Sequence, residues 1–488
     1  MGRVPTSGGV YRCRRIASWA TARSGRAIAE ADRTLNDLPP HRYPTPRPSA
    51  CPGLLRIVPA RDGGICRVRL PGGRVEGAQL RRLAEAAGRH GSGVLELTNR
   101  ANLQIRGVPA DQADGLIQCL LDAGLGPRAP GADDVRNLLL SPAAGLDPQA
   151  RLDVRPLAWR LLRLLEEEPR FHALSPKFAL SLDGGEALAM LDHPHDLWLS
   201  ALDGPDGEPA FAFGLAGCVP RGVGDGPALA AFPAAGVEAG VSALLHLFLD
   251  VADPECTRMR HLLAREPAEA LLRRLRERLD VPMLQGPWLD AWRRPPASAE
   301  APVGVHPQRQ AGLCLVGGAP ALGRLGASVL ARLADLAERV GDGHLRLTPW
   351  QGLLLPNVPL ERAAEALAGL EALGLETRPG SPLARLVACS GSVGCARSLA
   401  DTKADALGLA RRWPADLPFP AIHLSGCPRS CAAAHVAPYT LLAVAAGRYD
   451  LFRRDAGHGG FGRPLARGLD LDAATERLAE DARSARHD

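Results

Sequence analysis

The sequence predicts an α/β (α+β) fold in which a ferredoxin-like half domain occurs twice, each copy followed by a larger reductase-type α/β domain. Two observations predict it: a β-α-β-β-α order of hydrophobic periodicity starting near residue 63, and a gapless repeat of part of that segment 250 residues downstream. The length of 488 residues agrees, since roughly 150 residues per domain give about three domains or more.

The elements follow in order. After the Pro-rich LPPHRYPTPRPSACPG, the segment GICRVRLPGG reads as a strand and turn, and Leu80, Leu83, Ala84 and Ala87 recur at helical spacing. GVLELTNRANLQIRGV supplies two extended runs around a polar bend, and Ala113, Leu116, Ile117 and Leu120 mark a second helix. This is most of a ferredoxin-like unit. Residues 332–359 align without gaps on 82–109, so that Arg82, Leu95, Thr98 and Pro109 recur as Arg332, Leu345, Thr348 and Pro359. Two copies with a long insert exclude a solenoid and indicate a pseudo-twofold molecule, with ligands expected between its halves. The bend in the first copy is Asn99-Arg100-Ala101-Asn102 and in the second Pro349-Trp350-Gln351-Gly352, a divergence that predicts function on one side only. The resulting division is a disordered basic extension at 1–48, half domains at 49–127 and 302–378, a domain without a cluster at 128–295, a cluster-bearing domain at 379–470 and a tail at 471–488.

Composition excludes several function classes. Of 58 basic residues only Lys177 and Lys403 are lysine, a skew of genome composition rather than of function. The net charge of +5 comes from residues 1–48, and the rest of the chain sums to −1, so no nucleic-acid partner is expected. The best apolar run, VSALLHLFLDVA at 241–252, is too short to span a bilayer and is interrupted by His246 and Asp250. Without a secretory h-region, the chain reads as cytoplasmic, with no membrane partner. Eleven cysteines in a chain this long point to thiol or metal chemistry rather than a disulfide framework.

The strongest chemical signal is VACSGSVGC followed by SGCPRSC, which places Cys389, Cys395, Cys427 and Cys431 on two short loops. Four thiolates of this kind suit a [4Fe–4S] cubane, one sulfur per iron. Structural zinc and unliganded thiols are the alternatives, and zinc fits poorly because five residues separate Cys389 from Cys395. Gly391, Gly394 and Gly426 allow tight wrapping, and Arg397 and Arg429 lie among the ligands. The other seven cysteines read as ordinary buried or loop residues.

The duplicated half domains, the C-x5-C and G-C-x-x-x-C pairs and the LTNR bend resemble the siroheme-dependent sulfite and nitrite reductase superfamily over about 50–470. Within it, ACPGLLRI, DGGICRVRLPGG and LELTNRANLQIRGV are more similar to the precorrin-3B synthase family. The reductase pattern holds an oxyanion on two arginines and two further side chains. By position these are Arg100, Arg136, Lys177 and Ala179, and the alanine departs from the pattern. The closer resemblance implies an NADH-dependent and O2-dependent monooxygenase of aerobic cobalamin biosynthesis. It would hydroxylate precorrin-3A with lactone formation, while Arg100, Arg136 and Lys177 bind substrate carboxylates through charge-assisted contacts. It also implies a mononuclear non-haem iron, with siroheme the lesser option, in which case Cys431 would be the bridging thiolate. Electrons are expected from a separate electron-donor reductase or through a shallow site, because no G-x-G-x-x-G sits at a strand-to-helix turn and VGGAPALG at 316–323 falls in a loop. Asp192, His193, His195 and Asp196 have the chemistry of an iron site, yet Pro194 and the following DLWLSAL read as a surface turn entering a strand. The residues that activate oxygen are not identified. The alternative function is a siroheme-dependent sulfite or nitrite reductase.

Overall fold

In the computed structural model the described residues are 11–12 and 51–484, except 223, 299 and 456; the basic extension and Cys13 lie outside them almost entirely. The first half domain comprises β1 (Tyr11–Arg12), β2 (Arg56–Ala60), β3 (Gly63–Val68), β4 (Arg74–Glu76), α1 (Gly77–His90), β5 (Val94–Leu97), β6 (Leu103–Val108) and α2 (Ala113–Asp122). The apolar stripe on α1 buries Leu80, Leu83 and Ala87, and Glu76 and Gln79 close a reciprocal capping box at its start.

Next come β7 (Leu138–Leu140), α3 (Arg155–Glu167), β8 (Leu180–Asp183), β9 (His195–Asp203), β10 (Pro209–Gly217), β11 (Ala230–Pro233), α4 (Val237–Val251), α5 (Met259–Leu263), α6 (Ala268–Arg276) and α7 (Pro287–Asp290). The second half domain follows with β12 (Gly304–Pro307), β13 (Leu313–Pro320), β14 (Arg324–Gly326), α8 (Ala327–Val340), β15 (His344–Leu347), β16 (Leu353–Pro359), α9 (Ala363–Ala372) and β17 (Leu375–Glu376). The chain ends in α10 (Pro382–Arg385), β18 (Leu386–Ala388), α11 (Gly391–Gly394), α12 (Thr402–Arg412), β19 (Ile422–Ser425), β20 (Tyr439–Ala445), β21 (Arg448–Arg453), β22 (Arg463–Leu469) and α13 (Leu471–Ser484). Residues 316–320 of VGGAPALG thus complete a strand instead of a loop, because they pair with β16, β12 and β17.

The duplication extends to both large domains. In one sheet β7, β8 and β9 are parallel while β10 and β11 run antiparallel; in the other β18, β19 and β20 are parallel while β21 and β22 run antiparallel. The half domains exchange a strand: β4 of the first pairs with β15 of the second, and β14 of the second with β5 of the first. One apolar core therefore runs through both halves, with α1 packed on α8. Backbone conformation repeats too. Gly73 and Gly323 have φ of 67° and 70°, and Ala101 and Gln351 have φ of 54° and 59°. At Gly73 a Cβ would sit 2.2 Å from the Leu347 carbonyl oxygen, so the exchanged strand can approach its new neighbour only without a side chain.

The helical stretch Ala234–Val251 is long and apolar enough by length and composition to cross a membrane, longer than the 241–252 run suggests. Here Val237, Val241, Leu245 and Phe248 bury into the core of the first large domain with Phe213 and Phe232.

Candidate functional site

β18 and β19 are adjacent parallel strands, and both cysteine loops leave from their carboxyl ends, which is why residues 32 apart in sequence or more meet. Cys389 follows β18, its N–H donates to the Leu424 carbonyl (3.3 Å), and its sulfur accepts from the Gly426 N–H (3.3 Å). The short turn of α11 carries the chain to Cys395, whose N–H donates to the Gly391 carbonyl (2.9 Å). Gly426 has no room for a Cβ, which would fall 1.8 Å from Ser398 Oγ. Burial, and then the charges of Cys427, Cys389 and Cys395, push the Cys431 thiol up, so the four thiols share one electrostatic neighbourhood. All four are free thiols, half-buried apart from the exposed Cys431. Four free thiols on two adjacent loops, with the Gly426 amide donating to one sulfur, suit a [4Fe–4S] cluster rather than a single ion as a donor set.

The first half domain clamps this turn. Arg106 donates to Ser390 Oγ (3.1 Å) and the Gly394 carbonyl (3.1 Å) while forking onto Asp62 at 2.8 Å through two bonds, and Arg61 donates to the Ser392 carbonyl (3.0 Å). Behind it, Glu96 lies 3.0 Å from Arg324, 3.3 Å from Arg106 and 3.7 Å from Lys403. Burial would raise the Glu96 carboxyl, but Lys403, Arg106 and Arg324 outweigh it and hold it low. Lys403, which helical context alone marks as a surface charge, is buried and donates to the Leu322 carbonyl (2.8 Å). From the second half domain, Gln351 donates to the Ala432 carbonyl (3.1 Å) of the cysteine loop. The second bend therefore reaches the cysteine loop directly, through Gln351.

A group of buried arginines lies on the first half domain, and one of them, Arg67, is coupled electrostatically to Cys431. Burial brings Arg67 down to about 10, with Arg69, Cys51, Arg100 and Cys431 as its charged neighbours. Burial and then Arg258 bring Arg100 to about 10 as well, with Asp196, Arg69 and Cys51 also acting on it. Cys51, which the sequence leaves as an ordinary loop residue, thus belongs to this neighbourhood.

The other anchors sit differently. Arg136 is buried and donates to the Gly126 and Leu125 carbonyls (3.2 and 3.3 Å), with Glu166 at 3.7 Å and Asp133 at 3.9 Å. Lys177 is exposed, and Ala179 is buried with its N–H on Asp196 (2.9 Å). Of the three positively charged anchors, Arg100 and Arg136 both feel Arg69, and Arg100 also acts on Arg67, the arginine that couples to Cys431. Arg397 and Arg429 are exposed.

The segment from 192 to 196 enters a strand through a bend with Pro194 exposed, as expected, but His193, His195 and Asp196 are buried. His195 is held down to about 3, first by burial and then by Arg100. His193 packs against His435 with ring centroids 5.0 Å apart, and burial followed by His435 and His195 keeps it neutral. The carboxylates are taken by arginines: Asp196 by Arg258 (2.9 Å), Asp192 by Arg221 (2.7 Å). Among the described residues no group of three or more His, Cys, Asp or Glu side chains is arranged to hold a single ion, so the expected mononuclear iron finds no donor set there.

Comparison with known proteins bears on this arrangement. A profile for the nitrite/sulfite reductase ferredoxin-like half domain matches residues 58–123 and again 306–373, and one for the nitrite and sulphite reductase 4Fe-4S domain matches 131–283. That last stretch holds only Cys218 and Cys256; the four-cysteine loops lie on the equivalent later sheet. The chloroplastic ferredoxin–nitrite reductase of Zea mays is 32% identical over 394 residues, which is 76% of this chain and 68% of that protein. Ferredoxin–nitrite reductase of Synechococcus elongatus is 30% identical over 401 residues, 78% of this chain and 76% of the relative. Sulfite reductase (ferredoxin) 2 of Mycolicibacterium paratuberculosis is 29% identical over 393 residues, 76% and 68% of the two chains. The structure of the Mycobacterium tuberculosis NirA protein shares the fold, with a TM-score of 0.71 and 24% identity over 86% of this chain and 80% of that one.

Proposed function

Because the chain belongs to the nitrite/sulfite reductase family, a family of oxidoreductases, we propose that it holds a [4Fe–4S] cluster on Cys389, Cys395, Cys427 and Cys431 beside a siroheme-type tetrapyrrole and reduces nitrite or sulfite. The observation that supports this reading most is that both cysteine loops leave the carboxyl ends of the adjacent parallel strands β18 and β19, with the Gly426 amide donating to the Cys389 sulfur and Arg67 coupled electrostatically to Cys431.

When bound, the cluster supplies single electrons. The chain's own residues prepare the place for it. The Gly426 amide lowers the electron density on the Cys389 sulfur, and Arg106 fixes the turn that carries Cys389 and Cys395 against the half domain. Arg67 and Arg100 stay cationic at neutral pH, since about 10 is still far above 7, and can fork onto carboxylates or an oxyanion. His193 and His195 are neutral, so they act there as hydrogen-bonding groups and not as charges. We infer a cytoplasmic enzyme that takes its electrons from a separate donor, a reading supported by the lack of a nicotinamide-binding glycine turn in the sequence.

A second reading, O2-dependent and NADH-dependent hydroxylation of precorrin-3A, is favoured by one specific observation. The buried Ala179, the exposed Lys177 and the internally bonded Arg136 leave fewer cations to grip a small oxyanion than the reductase pattern provides. Anaerobic turnover with reduced methyl viologen separates the two. Consumption of nitrite or sulfite supports the first reading. No consumption by protein carrying its full iron complement, together with oxygen uptake on adding precorrin-3A, replaces it with the second.

A further inference from the structure

A cavity of about 540 Å³ opens where β7 and the start of α3 face β15, β16 and the exchanged strand β4. It lies across the pseudo-twofold from the Glu96 cluster, and comparing the two is informative. On the cluster side Arg324 is directly opposite Glu96 on neighbouring strands, and the carboxylate neutralises Arg324, Arg106 and Lys403. On the cavity side the equivalent residues, 250 positions away, are Arg74 opposite Arg346. The acid has become an arginine, and a like-charge pair directly opposite across strands is destabilising. The third position, Arg106, is matched by Pro356, so nothing fills the space.

Arg346 is buried and, among the described residues, donates only from Nη1, to the Pro142 and Ala144 carbonyls (3.1 and 2.9 Å). No carboxylate lies within ion-pair distance of it among the described residues. The nearby acids are otherwise engaged. Asp153 is forked by Arg155 (2.9 and 2.7 Å), and Asp342 accepts from Asn357 (2.6 Å). Arg74 contacts His344, with Glu76 at 3.7 Å on the exposed side. Asp342 and Asp153 act on Arg346 only from beyond ion-pair distance, while Arg155 and Arg74 repel it; a buried cation so placed is costly, and a bound anion offsets the cost. Asp153, Arg155, Asp342 and His344 also line the wall, beside an apolar stretch of Leu138, Leu140 and Pro156, and Trp159 stands at the rim with 49% of its surface exposed. The volume falls within the roughly 300–1,000 Å³ of small-molecule sites.

We propose that this cavity binds a small aromatic anion, a flat ring seated against Trp159 and Leu140 with its carboxylate or phosphate on Arg346 and Arg74. The site is independent of the redox reading, since no cysteine or cluster-clamping residue lines it.

The test is calorimetric titration of the full-length, cluster-loaded protein with 1-naphthyl phosphate, with 1-naphthol and inorganic phosphate as comparators. One saturable equivalent is expected, and each comparator should bind at least tenfold more weakly, because each lacks one half of the recognition. Arg346→Glu restores the acid of the sister copy and should weaken binding at least tenfold; Trp159→Ala, at an exposed position, should weaken it several-fold. The absence of saturable binding overturns the proposal, as does undiminished affinity in Trp159→Ala or in folded Arg346→Glu. Loss of the site in Arg100→Ala instead would move it to the cysteine region and overturn it equally.

Discussion

Replacing Glu96 by Gln tests whether the half domain and the cysteine-bearing domain are locked together by one buried carboxylate. The substitution keeps the shape and removes the charge facing Arg324, Arg106 and Lys403. The three cations are not equal losers. Arg106 keeps its two-bond fork on Asp62, and Arg324 is about a third exposed, so water takes up much of its loss. Lys403 has only 9% of its side chain exposed and keeps carbonyl partners but no carboxylate. Breaking a buried pair from one side costs about 3–5 kcal/mol, and the two relieved arginines place the expected loss near the lower end, about 3 kcal/mol. Urea unfolding followed through both cluster absorbance and tryptophan fluorescence measures it, because the domains need not unfold together. Adding Lys403→Met should recover part of the loss by removing the stranded ammonium. A loss under about 1 kcal/mol, or a double variant less stable than the single one, would refute this reasoning.

Further outcomes are expected. The Glu96 carboxyl is held below its ordinary 4.5, so its stabilisation is complete above that pH and is lost as pH falls through the lower folded value. His423 is held down to about 4, first by burial and then by His435, so stability should fall as pH drops from 6.5 to about 4, where the unfolded chain binds the extra proton. In His423→Leu that slope should flatten, and an unchanged slope in urea midpoints against pH removes His423 as its source. Gly73→Ala forces a side chain into positive φ and into the Leu347 carbonyl, with an expected cost of about 3 kcal/mol or more in the same urea assay; a cost under about 1 kcal/mol would show that the strand exchange tolerates a Cβ. Arg100→Ala should lower tetrapyrrole affinity by at most a few kcal/mol, the scale of one charge-assisted contact, at unchanged iron content. Equal tetrapyrrole retention in variant and parent would take Arg100 out of the pocket.

Much of this architecture can be read directly from the sequence, and the misses have physical causes. The helix of Leu80, Leu83 and Ala87 and the strands around the LTNR bend follow from periodicity, and the repeat at 332–359 follows from identity at matched positions. The strand exchange does not, because Arg74–Glu76 and Arg324–Gly326 are three residues each and show no alternation long enough to separate a strand from a loop. Only the positive-φ glycines at 73 and 323 hint at a close approach. The two cysteine loops are visible because thiol spacing is local, whereas their meeting depends on the parallel pairing of β18 and β19. The local sequence around Lys403 does not reveal its burial, because its partner Glu96 lies 307 residues away in sequence. Arg136 matches a motif by position, yet what its guanidinium reaches is set by Glu166 and two carbonyls that no motif records. The histidines at 193 and 195 follow a turn-like Pro pattern, and their burial comes from the sheet beside them and from His435.

The most direct test is iron and acid-labile sulfide analysis of anaerobically purified protein, paired with its optical spectrum, in the parent chain and in Cys427→Ser. Four irons and four sulfides in the parent, with tetrapyrrole bands beside the cluster absorbance and loss of the full complement in the variant, are what the four-thiol account predicts. Zinc in place of iron, or a variant that keeps all four irons, contradicts it.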